Sequence, residues 1–290
     1  MAFDLIGEKL LKETQGRESC ISISEKLSIR LYSDTRPRIG HIAGLQKGLV
    51  LAHNGTNLVG EGTGFGVPAV CYREKTYFSG SSNVHIFEKD NRTLFDKQFV
   101  LDMVSQKSFR KAKIGGKTVR KLWMRLDDLY MKHKRLRLLQ INDLYKSMGF
   151  KVSYVKVKPK GTVNVTYSIE PPIIHIKADY SSLEKKNLQR IFVLNEQGAS
   201  YFRKYSDSND TVLFDKKIGA WKSVEAEWAC ISSEKSEFGF RLWNVKDAII
   251  HVGREFLEGT FNWVGLDYEV NPEKTSFEYD IEILGSQKQN

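Results

Sequence analysis

The chain is 290 residues long, with 41% hydrophobic and 11% aromatic residues, enough for a packed core and too apolar for a disordered chain. Its formal net charge is +10, but the charge is uneven: 107–160 holds seventeen Lys or Arg against Asp127, Asp128 and Asp143, a surplus of fourteen, so the remainder is net negative by four. No stretch approaches the roughly 20 apolar residues of a membrane helix, the early charges Asp4, Glu8 and Lys9 do not suit a signal peptide, and Cys20, Cys71 and Cys230 are too scattered for a disulfide framework or a zinc site. The expectation is a cytoplasmic protein with no membrane contact, no metal and no cofactor.

In chain order, a short helix is predicted over 3–12. Period-two alternation then takes over: Ile21 and Ile23 alternate with Ser22 and Ser24, and Leu27, Ile29 and Leu31 with Ser28 and Arg30. Such alternation buries one face of a strand and wets the other, the antiparallel habit. Further strands are predicted at 49–52, 67–72 and 84–87. The pair Gly115-Gly116 suggests a two-residue hairpin. One prominent helix is predicted at 126–148, from Leu126, Leu129, Tyr130, His133, Leu136, Ile141, Leu144, Tyr145 and Met148, with Gly149 as its C-terminal cap. A hairpin follows, 152–157 and 163–169 about the turn Lys158-Pro159-Lys160-Gly161. Strands at 173–176, 191–194, 224–231, 238–243, 248–252, 261–270 and 276–284 complete the pattern, with a short helix at 183–189. So many strands at this spacing predict a sandwich or barrel.

The basic block admits two readings. Lys132, Lys134, Arg135 and Arg137 on the predicted helix could release counterions from a polyanion such as nucleic acid, with Trp123, Tyr130, Tyr145 and Tyr154 interleaved. They could equally form a solvated, Lys-rich face. No recognised nucleic-acid-binding signature decides between them.

Between 49–52 and 67–72 lies a glycine-rich loop, Gly60-Glu61-Gly62-Thr63-Gly64-Phe65-Gly66. Its spacing is not that of a dinucleotide fingerprint, and a strand follows it rather than a helix. Close backbone approach in a long hairpin is the simpler role. Six histidines show no metal spacing. His85 and His175 sit inside strands, where each faces either a cleft or water. Asp267 and Glu269, like Glu225 and Glu227 or Glu278 and Asp280, lie two apart on predicted strands, a separation compatible with paired-carboxylate sugar chemistry and equally with an exposed face.

The segment Arg36-Pro37-Arg38-Ile39-Gly40-His41-Ile42 followed by Gly48-Leu49-Val50-Leu51, together with strand–Asn271-Pro272-Glu273–strand at 261–284, resembles the galactose-mutarotase-like supersandwich proteins. The resemblance covers about a fifth of the chain. It implies a broad concave sheet face and a carbohydrate-type ligand. The family's catalytic motifs are not matched, and the basic block departs from its pattern.

The fold expected is mainly β: a large antiparallel β-sandwich of the supersandwich type, one domain over 1–290, or alternatively two packed β domains with a boundary near 107–160. The function expected is binding of, or chemistry on, a carbohydrate, acidic or phosphorylated sugars included. Candidate catalytic residues are Glu61, His85, His175 and Glu269, and candidate ligand-binding residues are His41, Arg73 and Arg241. The alternative is a non-enzymatic polyanion binder using Lys132, Lys134, Arg135 and Arg137.

Overall fold

The computed structural model describes residues 9–10, 18–32, 45–60, 62–73, 75–89, 92–109, 150–257 and 261–285. In chain order its strands are β1 (Lys9–Leu10), β2 (Glu18–Ser22), β3 (Leu27–Tyr32), β4 (Val50–His53), β5 (Thr56–Asn57), β6 (Gly64–Tyr72), β7 (Lys75–Lys89), β8 (Arg92–Phe109), β9 (Phe150–Lys156), β10 (Thr162–Glu170), β11 (Ile173–Asp179), β12 (Leu188–Gly198), β13 (Lys204–Asp207), β14 (Val212–Phe214), β15 (Lys222–Ser223), β16 (Trp228–Ser232), β17 (Gly239–Trp243), β18 (Ala248–Leu257), β19 (Phe261–Val270) and β20 (Ser276–Leu284). Among the described residues the one helical turn is a 3-10 turn at Asp215–Lys217.

The chain divides into two compact units, 1–104 with 156–290, and 105–155. The predicted helix at 126–148 and the Gly115-Gly116 hairpin fall in the second unit, outside the described residues, as do Lys132, Lys134, Arg135 and Arg137.

Sixteen strands form one antiparallel sheet in the order β14-β13-β16-β17-β20-β11-β10-β8-β7-β6-β12-β19-β18-β15, with β1 on β7 and β9 on β8; β2-β3-β4-β5 form a second sheet. Within the first unit the large sheet turns back on itself. Phe65 of β6 meets Phe240 of β17 edge-on at 5.0 Å, and Tyr268 of β19 meets Tyr279 of β20 at 4.8 Å, although these strands are far apart in the sheet order. Two layers result, β14 to β10 and β6 to β15, with their apolar faces together.

The turn between layers is made by β7 and β8. The end of β7 near Tyr77 pairs with β6 in one layer, while β8 from Thr93 to Val100 pairs with β10 in the other. The β7–β8 register shifts at Phe78/Ser79 and again at Ser79/Ser81, bulges of the kind that let a strand change layers. There the Gly80 N–H donates to the Asp102 carboxylate at 2.9 Å. The wholly buried segment Leu45-Gln46-Lys47-Gly48 crosses the bend: Gln46 donates its N–H to Ser79 O and accepts from the Ser82 hydroxyl at 2.6 Å.

The core follows the predicted alternation. In β10, Val163, Val165, Tyr167 and Ile169 are buried. Leu27, Ile29, Leu31 and Leu51 of the small sheet join the same cluster. Gly66 has φ +76°, and a Cβ there would lie 2.7 Å from the Tyr167 ring, so only glycine admits Tyr167, whose hydroxyl donates to the Phe65 and Gly66 carbonyls.

Some expectations are corrected. The region 183–189 is turn leading into β12, with Asn187 at φ +64°, a conformation no helix accepts. Lys9–Leu10, inside the predicted 3–12 helix, pairs as a strand with Glu88 and Phe87. The predicted strand 224–231 starts at Trp228 instead.

Asn195 ties the layers together. Its Oδ1 accepts from Gly66 N–H at 3.1 Å and from the Tyr279 hydroxyl at 2.8 Å, and its Nδ2 donates to Leu266 O at 3.1 Å. Asn195→Ala leaves two buried donors unsatisfied and is expected to lower unfolding free energy by about 2–5 kcal/mol. Urea denaturation checks this, and a double-mutant cycle with Tyr279→Phe should show strong non-additivity.

Candidate active site

Directly paired residues in an antiparallel sheet share a face. Glu196 pairs with Gly64 of β6 and Gly265 of β19, and Gly265 with Gly253 of β18. Two residues along on that same face come Asp267 opposite His251, and Trp263 opposite Glu255; beyond Asp267 comes Glu269. The face of β12-β19-β18 turned away from the core therefore carries four carboxyls, Glu196, Glu255, Asp267 and Glu269, with His251 and Trp263.

The two facing glycines make room for a cover. A Cβ at Gly265 would lie 3.1 Å from the Trp221 ring, and one at Gly253 would collide with it. The Trp221 indole thus lies on the sheet surface and donates its Nε1–H to Glu255 Oε1 at 2.6 Å. From the other side the glycine loop closes in: a Cβ at Gly62 would meet Glu196 O at 2.5 Å. Lys47 Nζ donates to Gly62 O, and Lys97 Nζ to Lys47 O at 2.6 Å.

Glu196 is 8% exposed and Asp267 5%, so each keeps only a narrow contact with solvent. Burial, reinforced by the Glu255 charge and opposed by Thr63 and Lys47, pushes Glu196 up to about 7. Burial, with the charge of Glu196, raises Asp267 well above the carboxylate range, against the pull of the Asn195 N–H, which donates to its Oδ1 at 2.8 Å. The Glu196 charge thus favours a proton on Asp267, and Glu196 can itself hold and release one near neutrality.

Glu269 differs. Arg190 donates to both of its oxygens at 2.6 Å, and His251 Nε2 stands 3.0 Å from it. The Arg190 guanidinium holds this carboxyl below its usual range, so it stays ionised. Burial lowers His251, partly countered by Glu269, favouring the neutral imidazole.

Of the candidate catalytic and ligand-binding residues named from the sequence, Glu269 alone reaches this face among those described; Asp267, from the alternating acids, joins it there. His85, His175 and Arg241 stand on the wet face of the other layer: His85 pairs across with Asp96, His175 Nδ1 lies 2.6 Å from Asp280 and its Nε2 3.6 Å from Glu170, and Arg241 bonds Glu282 at 3.0 Å between the rings of Trp228 and Trp243. Arg73 is an exposed turn residue at φ +54° joining β6 to β7. Glu61 and His41 lie outside the described residues. Glu196 escaped the sequence reading, yet a signal exists: Asn195-Glu196-Gln197 is a polar triplet that closes an apolar strand just before Gly198. Among the described residues no cluster of His, Cys, Asp and Glu could hold a metal ion.

No protein-family model matches the chain, and no curated protein matches it. Among solved structures it is similar to an α-N-acetylgalactosaminidase of Bifidobacterium bifidum, with TM-score 0.47 and 8% identity over 93% of this chain and 36% of that one. It spans little more than a third of that enzyme's length. It is also similar to a protein of Synechocystis sp. PCC 6803 (TM-score 0.41, 6% identity, 93% and 96% covered) and to a galactose mutarotase related enzyme of Lactobacillus acidophilus (0.39, 9%, 92% and 97%). The weak resemblance read in the sequence thus reappears among the solved structures.

The buried acids and the buried lysine leave opposite marks on stability. Glu196 ionises near 4.5 when unfolded and near 7 when folded, so its contribution falls as pH rises between those values, by on the order of 3 kcal/mol. Burial lowers Lys97 from 10.5 to about 7, so its contribution rises with pH across that window. Compared with wild type in urea denaturation, Glu196→Gln is expected to remove the loss between pH 4.5 and 7, and Lys97→Met the gain between pH 7 and 10. A Glu196→Gln protein that keeps the wild-type acid limb contradicts the assignment.

Proposed function

We propose that this protein binds a carbohydrate on the outer face of β12-β19-β18 and moves a proton on it, with Glu196 and Asp267 as the acid–base pair. The observation that carries the reading is the placement of two buried carboxyls on one face of the sheet, both raised by burial, with the Glu196 charge raising Asp267 further. A carboxyl poised near neutrality suits general acid–base work. Trp221, half-buried on the same face, supplies a flat apolar surface, as the C–H side of a sugar ring requires. The ionised Glu269, clamped by Arg190, and the neutral His251 are polar partners for hydroxyls. No metal or cofactor is called for.

A second reading rests on the charge surplus of 107–160. Lys132, Lys134, Arg135 and Arg137 would bind a polyanion, with affinity falling steeply in salt, by a log–log slope of roughly −0.9 per phosphate neutralised on duplex DNA.

A thermal-shift panel of neutral sugars, uronates, sugar phosphates and a short duplex, at low and high salt, separates the two. A ligand at 100 times its Kd stabilises by about 2.7 kcal/mol. The expected result is a salt-resistant shift with one sugar class, and turnover of that class lost in both Glu196→Gln and Asp267→Asn. A shift with the duplex alone, abolished by salt, would overturn the carbohydrate reading.

A further inference from the structure

The carboxyl face does not end at Glu269. Antiparallel partners set its side chains in cross-strand rows about 7 Å apart, two residues to a step. Glu196, Gly265 and Gly253 make one row, Asp267, His251 and Ser223 the next, and Phe192, Glu269 and Ile249 the third. Ser223 and Ile249, at the ends of the second and third rows, also line a cleft of about 620 Å³, together with Asn209, Glu225, Glu227 and Asn244. That volume is within the size range of small-ligand sites. The carboxyl pair and the cleft are parts of one groove.

The groove is closed at one end and open at the other. At the Glu196 row the Trp221 ring lies over Gly265 and Gly253, with its indole N–H on Glu255, and Gly62 packs against the Glu196 backbone. Exposure then climbs row by row: Asp267 is 5% exposed, the His251 side chain 19% and Ile249 51%. The open end is formed before a ligand arrives. Asn209 Nδ2 donates to Glu225 O at 2.6 Å, Val224 N–H to Ile250 O at 2.8 Å and Asn244 N–H to Glu227 O at 2.7 Å, so the 224–227 segment is held on both sides.

We infer that the groove binds the end of a neutral saccharide chain, with the terminal unit at Glu196 and Asp267 and the next units past His251 and Ser223 in the cleft. The inference rests on the carbohydrate reading of the carboxyl face and names its substrate class. From the Glu196 row to the Ile249 row is about 14 Å, more than one sugar ring covers. A closed end admits a terminus and not the middle of a chain. Ser223 and Asn244 offer donors and acceptors to hydroxyl groups, and Ile249 meets the apolar face of a ring. Glu225 and Glu227 line the cleft with no Lys or Arg among the lining side chains described, which disfavours an anionic unit there.

Isothermal titration with mono-, di- and trisaccharides of three neutral series (maltose, cellobiose and galactobiose types), with trigalacturonate as the charged control, tests this. In the series that binds, affinity should rise about tenfold from monosaccharide to trisaccharide. The matching polymer, with few ends per unit mass, should compete poorly weight for weight. Ile249→Ser and Glu225→Gln, both at exposed positions, should each cut the trisaccharide-to-monosaccharide affinity ratio about tenfold at an unchanged urea midpoint. Equal affinity at every length, an unaltered ratio in both variants, competition by the polymer as strong as by the trisaccharide, or binding confined to charged sugars would overturn the inference and leave the carbohydrate reading standing. Binding of no saccharide at all would overturn both.

Discussion

The architecture depends on one buried amide. Asn195 sits on the core face of β12, opposite Leu266, with its side chain between layers. It must satisfy donors from β6 and β20 while giving its own protons to carbonyls of β12 and β19. An apolar residue of the same shape would leave Gly66 N–H and the Tyr279 hydroxyl without an acceptor, and a buried unpaired donor costs more than an ordinary hydrogen bond contributes. Apolar packing brings the two layers together non-specifically; this amide selects the register in which Tyr279, Tyr268 and Phe277 nest. Gly66 fits the same constraint, since Tyr167 occupies the volume a side chain there would need.

The same strand links fold to site. Side chains alternate, so Asn195 facing inward obliges Glu196 to face outward, and the Asn195 N–H donates to Asp267 at the floor of the carboxyl face. Core and site are thus opposite sides of one short segment. Burial of Glu196 and Asp267 opposes folding above neutral pH, and a compact protein can carry that load because the core behind it is extensive. At the bend lie Lys47 and Lys97, and burial of Lys97 opposes folding in the opposite pH sense, below neutrality. Their ammonium groups reach backbone carbonyls, Gly62 O and Lys47 O, which satisfies hydrogen bonds without restoring the solvation a charge loses.

Much of the fold was legible because most strands are wet on one side. The alternation at Val163, Val165, Tyr167 and Ile169 could mean little else. What hid was polar substance in apolar places. β8 is 18 residues long, yet Lys97 occupies the inward position between Phe95 and Phe99, which breaks the apolar rhythm. Glu196 and Asn195 hid for the same reason. The acids at Asp267 and Glu269 were visible as an alternating pair, but only the neighbouring strands distinguish them: Asp267 lies between β12 and β18 under cover, while Glu269 meets Arg190. His85, His175 and Arg241 were read as one constellation with Glu269, and pairing order, which local pattern does not encode, puts them on the other layer.

The sheet order carries a consequence for biosynthesis. β20, the last strand described, lies between β17 and β11 in the interior of its layer rather than at an edge. Until residues 276–284 have left the ribosome, both neighbours present open hydrogen-bonding edges, and Tyr279, one of Asn195's partners, is missing. A nascent chain complete through β19 therefore exposes a slot shaped for a strand, which any extended segment of another molecule can enter. Closure of this layer therefore waits on residues 276–284, so slow translation of that segment prolongs the interval in which the protein is most prone to pair with the wrong partner.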